Sequence, residues 1–252
     1  MGAPEIAPLD SGECQVWWAA RDAAAPELIS LLDDAERTRH DRFRREEDRQ
    51  RHLVARALSR IVLGAHLGLE PRDVRFRYEC AHCGEQAHGK PVLTPDSGLR
   101  FSLSHSGESV VLAVCRDGEV GVDVEEVREN LDIDRLGDTV LCEEEQRTVG
   151  ALPAERRQEA FFTYWTRKEA VLKAVGLGLA LPMRSVLLSG PDEAPAMLDW
   201  RSERTAPEAL RLYELEAPSG HLASLAVLDS RPLRIRELSG DPLLAGAPEP
   251  SR

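Results

Sequence analysis

A chain of 252 residues is long enough for one large domain or two small ones, and either buries enough surface to fold without covalent staples. A formal net charge of −12 excludes a broad nucleic-acid footprint, which needs a basic face, and no apolar run reaches the ~20 residues of a membrane span. Five scattered cysteines make no disulfide framework, and the amino-terminal MGAPEIAPLD lacks the basic-then-apolar order of a signal peptide, so a reducing, cytoplasmic location is expected.

In chain order, the first helix signal is a long one. Ala35 to Arg49 is dense in charge, and Leu53, Ala57, Leu58, Ile61, Val62 and Ala65 then recur at helical spacing until Gly68 and Pro71 stop the pattern. Nine arginines lie between Arg37 and Arg60, interleaved with Glu46, Glu47 and Asp48, which suits an anionic ligand, an acidic partner, or a helix face that solvates itself through ion pairs. Val74 to Tyr78 alternates as a half-buried strand, a Cys/His/Gly loop runs from Cys80 to Pro91, and Leu99 to Leu103 alternates again. Ser109 to Cys115 is continuously apolar, Asp117-Gly118 is a turn pair and Val120 to Val124 is β-branched at every second position, a pattern that predicts a hairpin. Cys142 to Val175 reads as helix with Phe161, Trp165, Leu172 and Val175 near one stripe, ended by Gly176. Strands are expected at Val186 to Leu188, Leu210 to Leu215 and Leu222 to Val227, and residues 239–252 read as a loose tail. The fold class is α+β, with no repeat visible at any fixed period.

Three segments carry chemistry. In Gly121-Val122-Asp123-Val124-Glu125 the two carboxylates sit two residues apart on a strand and project from one face, which suits a hard cation such as Mg²⁺ or, without one, an acidic strand end. In Trp165 to Lys173, Glu169 and Lys173 are one helical turn apart, as in an ordinary surface ion pair, but Trp165 one turn earlier implies a partly buried face. Ser102-Leu103-Ser104-His105-Ser106-Gly107 offers hydroxyls, an imidazole and free backbone to phosphate oxygens; a Ser/His nucleophile is disfavoured because adjacent residues on an extended chain face opposite ways.

Taken together, Gly89-Lys90-Pro91, Phe101 to Ser106, Gly121 to Glu125, and Trp165 to Lys173 followed by Gly176-Leu177-Gly178-Leu179 resemble the Sfp-like (surfactin-synthetase-activating) 4′-phosphopantetheinyl transferases. Similarity runs upstream through Arg42-Phe43 and Glu47-Asp48 to Arg51, covering roughly residues 35–190. The resemblance implies a pseudo-dimer of two similar α+β halves, residues 1–118 and 119–238, with the active site in the cleft between them. It implies Mg²⁺, with Mn²⁺ as an alternative, on Asp123, Glu125 and Glu169, and coenzyme A as substrate. It further implies Glu169 as the base, with Lys173, Asp123 and His105 beside it as catalytic residues. Coenzyme A contacts follow at Lys90, Pro91, Ser104, His105, Lys168 and Lys173. The implied partner is an apo acyl or peptidyl carrier protein, with a monomeric enzyme and no nucleic acid or membrane.

Two departures from the family pattern stand out. Where relatives carry a lysine and a threonine against the 3′-phosphate, this chain has Glu36 and His52, so Arg39, Arg51 and His52 are the expected substitutes. Cys80-Ala81-His82-Cys83 with His88 is an insertion whose CxxC spacing suits half a zinc site, but with no second CxxC an ordinary loop with free thiols is favoured. A carboxylate beside a cation ordinarily has a depressed pKa, so Glu169 is expected to act through geometry, with a water between, more than through basicity. Two rivals stay open: a non-catalytic protein that binds carrier proteins or nucleotides, and a Mg²⁺-dependent phosphohydrolase using the same carboxylates.

Overall fold

A computed structural model describes residues 6–79, 89–129 and 131–247. In chain order the elements are β1 (Glu13–Ala20), α1 (Asp34–Arg42), α2 (Glu46–Leu67), β2 (Phe76–Glu79), β3 (Lys90–Leu93), β4 (Arg100–Ser106), β5 (Ser109–Cys115), β6 (Val120–Glu126), α3 (Ile133–Val140), α4 (Glu143–Ala151), α5 (Ala154–Val175), β7 (Val186–Leu188), β8 (Met197–Trp200), β9 (Arg211–Glu214), β10 (His221–Val227), β11 (Arg234–Ser239) and α6 (Asp241–Ala245). They form two compact units. The first comprises Met1–Arg77, Val92–Asp117 and Leu233–Arg252, the second Tyr78–Pro91 and Gly118–Pro232.

In the first unit a four-stranded sheet has the order β11-β1-β5-β4, with β1 parallel to β11 and antiparallel to β5. Every residue of β5 is buried, as expected of an interior strand flanked on both edges. Helix α2 covers the sheet with Val54, Leu58, Val62 and Leu63, which join Trp17, Ala19, Leu112 and Val114 in one core. In the second unit the sheet order is β6-β10-β9, α5 packs on β6 and β10, and β7 pairs with β8. Its core gathers Phe161, Tyr164, Val171 and Leu172 of α5 with Val140, Val149, Leu188 and Ala226.

Four sequence expectations change. Ser109 to Cys115 pairs with β4 and β1, not with Val120 to Val124, because the tighter turn at Gly107 joins β4 to β5, while Asp117 Oδ2 accepts from Gly12 N at 2.6 Å and leaves the following strand to pair with β10. The first long helix is two. Phe43 is extended and its ring lies 5.3 Å from that of His52, turning the chain between α1 and α2. The Cys142 to Val175 helix also divides, at Leu152-Pro153, since proline suits a helix start and not its interior. Residues 239–252 are not simply a tail: α6 buries Leu243 and Leu244, its Asp241 accepts from Ala20 N at 2.9 Å, and β11 before it belongs to the first unit. The Cys80 to Cys83 stretch with His88 lies outside the described residues.

Candidate active site

The site begins with a glycine. A Cβ on Gly121 would stand 2.0 Å from the carbonyl oxygen of Ala170 and 2.4 Å from the nitrogen of Ala174, so α5 lies directly on β6 at this point and only hydrogen fits. Because strand side chains alternate, Asp123 and Glu125 share the helix-facing side with Gly121, while Val120, Val122 and Val124 are buried on the other. Residues 169 and 173 of α5 flank Ala170 and face these carboxylates. Lys173 Nζ donates to Asp123 Oδ1 at 2.7 Å and to the Val122 carbonyl at 3.0 Å. Asp123 is 3 % exposed.

Glu169 is half-buried among like charges. Burial raises its pKa above the usual carboxylate range; Lys173 opposes this, and Asp123 and Glu125 add to the rise. Among the described residues no three His, Cys, Asp or Glu side chains already stand close enough to share one ion. The donor chemistry nonetheless fits a hard divalent cation: oxygen ligands only, in one shared field, with an ammonium on Asp123 where the charge demands a positive group.

Three consecutive residues of α5 anchor the helix that presents Glu169. Thr166 Oγ1 lies 3.0 Å from Ser224 Oγ, and Ser224 is the register partner of Asp123. Arg167, fully buried, donates to the carbonyls of Ser189 and Gly190 at 3.1 and 2.8 Å and pairs with Glu214. Lys168, also fully buried, pairs with Glu145 at 2.7 Å and donates to the carbonyls of Met183 and Val186. Lys168 is thus corrected from a coenzyme A contact to an interior group, since its three donors are spent inside the second unit. Trp165 is half-buried against Phe161, as its place on the helix led one to expect.

Lys90, beside half-buried Pro91, is held by Glu119 at 2.7 Å and the Val120 carbonyl at 2.9 Å. In the first unit Arg51 Nη1 donates to the Gly107 carbonyl at 2.8 Å, which ties it to the turn after Ser104 and His105. Ser104 is buried and His105 exposed, the opposite facing expected of strand neighbours. Arg39 is exposed. His52 is corrected: it is buried, its Nε2 sits 3.1 Å from the Glu36 carbonyl, and burial, with Arg56 nearby, lowers its pKa to about 4, so it is a neutral packing group and a poor partner for a phosphate. Glu36 is spent as well, capping α1 and pairing with Arg60 at 2.8 Å.

Two family profiles divide the chain between them: "4'-phosphopantetheinyl transferase, N-terminal" matches residues 16–117 and "4'-phosphopantetheinyl transferase superfamily" matches 119–226. The chain is 36% identical over 223 residues to 4'-phosphopantetheinyl transferase HetI of Nostoc sp., covering 87% of this chain and 84% of that protein. This protein belongs to the 4′-phosphopantetheinyl transferase superfamily. A putative 4'-phosphopantetheinyl transferase of Synechocystis sp. is 32% identical, covering 71% of this chain and 70% of its own length, and a phosphopantetheinyl transferase of Thraustochytrium sp. is 33% identical, covering 83% and 75%. The junction of the two transferase profiles falls beside Asp117, where the chain leaves the first unit. Sequence reasoning missed Glu145 and Ser224 as supports of the site. The cue for Glu145 was its place three residues after Cys142, the spacing of a capping box, which the structure forms.

Proposed function

We propose that this transferase moves the 4′-phosphopantetheine moiety of coenzyme A to a serine of an apo acyl or peptidyl carrier protein and releases adenosine 3′,5′-bisphosphate. The observation that carries the reading is the gathering of Asp123, Glu125, Glu169 and Lys173 where α5 meets β6. In the reaction the serine oxygen forms a bond to the β-phosphorus of coenzyme A as the bond from that phosphorus to the bridging oxygen of the pyrophosphate breaks. Attack at phosphorus needs charge neutralisation and positioning more than covalent help. Asp123, Glu125 and Glu169 would hold Mg²⁺, or Mn²⁺ in its place, which supplies positive charge at the pyrophosphate. Glu169 takes the serine proton by virtue of its position, through a water, since a bound cation would oppose the rise that burial gives its pKa. Lys173, held at Asp123 in the free chain, supplies a second positive group for the phosphate under attack. Arg51, Ser104 and His105 are assigned to the phosphates of coenzyme A, with Lys90 and Pro91 at the nucleotide and exposed Arg39 on the 3′-phosphate side. The enzyme is taken to act as a cytoplasmic monomer on a carrier protein, without nucleic acid or membrane.

The test is intact mass of an apo carrier protein after incubation with coenzyme A, Mg²⁺ and this protein. Wild type should add ~340 Da, the mass of the transferred group, and Glu169→Gln and Asp123→Ala should lower the rate by roughly a thousandfold while staying folded. No gain across several carrier types, with coenzyme A bound, would move the reading to a non-catalytic binder. Exposed Arg44 and Arg45 are assigned to the acidic carrier. Their reversal to glutamate should raise the KM for carrier by roughly fivefold and leave that for coenzyme A unchanged.

A further inference from the structure

The buried ion pair between Glu145 and Lys168 has no part in the chemistry above, yet it adjoins it. Both side chains are essentially inaccessible, at 1 % and 0 % exposure, and 2.7 Å apart. The pair is also a knot in the backbone. Glu145 Oε1 accepts from Leu188 N and Oε2 from Cys142 N, both at 3.0 Å, while Lys168 donates to the carbonyls of Met183 and Val186. Four backbone groups, from the turn that leads into α4, from Met183 and from β7, therefore converge on two head groups carried by α4 and α5.

A pair of this kind adds little net stability over apolar side chains of the same volume, because desolvating two charges offsets most of their attraction. What it does add is direction. Consecutive residues of an α-helix project about 100° apart, so a Lys168 locked inward determines where Glu169 points. With Thr166 on Ser224 and Arg167 on the 189–190 carbonyls, the rotation of α5 is held from three sides at the turn that carries Glu169.

We propose that the Glu145–Lys168 pair is a positioning device that sets the rotation of α5 and so delivers Glu169 to the carboxylates of β6. This rests on the transferase reading for its kinetic consequence. The deciding variant is Glu145→Leu/Lys168→Met, which replaces the pair with apolar groups of similar size and leaves no orphaned charge, though it takes their side-chain partners from the Leu188 and Cys142 N–H groups and the Met183 and Val186 carbonyls. Its thermal midpoint should fall by several degrees with cooperative unfolding kept, while kcat per folded molecule falls roughly 10- to 100-fold with KM for coenzyme A within about twofold, the signature of a displaced catalytic group. Calorimetric titration with Mn²⁺ should show weaker binding than wild type, a readout independent of turnover.

Wild-type kcat and Mn²⁺ affinity in a stable double variant would overturn the proposal, as would a loss of activity that merely tracks the folded fraction. Should the double variant fail to fold, isosteric Glu145→Gln is read by the same three measurements. If wild type transfers nothing but binds Mn²⁺ more tightly than the variant, the transferase reading fails and the positioning role stands. If wild type neither transfers nor binds Mn²⁺, both fall.

Discussion

The two long helices, α2 in the first unit and α5 in the second, solve one structural problem twice. Each has 22 residues and ends on a glycine of positive φ, Gly68 at 67° and Gly176 at 70°. Eight residues before its glycine each carries a fully buried cation, Arg60 in α2 and Lys168 in α5. Each cation pairs with the glutamate at the third position of the preceding helix's capping box, Glu36 in α1 and Glu145 in α4. The difference lies one residue further on. There α2 has Ile61, packed on the core, and α5 has Glu169; four residues later α2 has Ala65 and α5 has Lys173. Both helices bury a cation at the same place, and the chemistry proposed above is assigned only where the positions beside it are polar and face a strand bearing Asp123 and Glu125.

That comparison can be broken most directly at the two cations. Lys168→Met leaves buried Glu145 without a cation, and Arg60→Met leaves Asp33 without one and Glu36 with only Arg56 at 3.9 Å; each should cost about 3–5 kcal/mol by urea unfolding. Only Lys168→Met should also lower kcat per folded molecule; an equal kinetic effect of Arg60→Met would erase the distinction between the units.

A smaller effect separates the close approaches of Gly121 and Gly240. Gly121→Ala drives a methyl group into the backbone of Ala170 and Ala174 and should cost about 3 kcal/mol together with most of the transfer activity. In the first unit a Cβ on Gly240 would meet Leu58 Cδ1 at 2.6 Å, the far end of a flexible side chain, and the Trp18 carbonyl oxygen at 3.1 Å, a milder backbone contact than those at Gly121, so Gly240→Ala should cost about 1–2 kcal/mol with activity retained.

Acid should distinguish the units last and least. His52 has its pKa lowered by burial to about 4. The folded state thus binds its proton less readily than the unfolded chain, and the stability it contributes is full above about pH 6.5 and is lost as pH falls toward 4, on the order of 2 kcal/mol. Glu169 runs the other way: its raised pKa means that ionisation costs folding energy above the folded value, and acid removes the cost. Urea midpoints followed from pH 7 to 4 should therefore flatten in His52→Gln, and Glu169→Gln should raise the midpoint of the free protein near pH 7.

Local pattern carried the α+β class, most strand positions, the glycine stops of both long helices and the shared facing of Asp123 with Glu125 and of Glu169 with Lys173. All of these depend on periodicity or residue type over a few neighbours. Strands β1 and β11 escaped it because their pairing joins positions more than two hundred residues apart, with Glu13 buried between Arg234 and Arg236. The apparent hairpin of Ser109 to Val124 misled for the same reason: a turn signal names a bend, and the partner strand is chosen by what else competes for its edge.

The sequence by itself determined that Asp123 and Glu125 share one face of a strand and that Glu169 and Lys173 share one face of a helix, since facing follows from spacing along each element. Only the tertiary structure decided which of the charged residues in Trp165 to Lys173 face inward and which face β6. Arg167, Lys168 and Lys173 are alike to a reader of charge, and burial separates them because each interior cation found a carboxylate and carbonyls inside the second unit, while Lys173 found Asp123 where Gly121 lets α5 rest on β6.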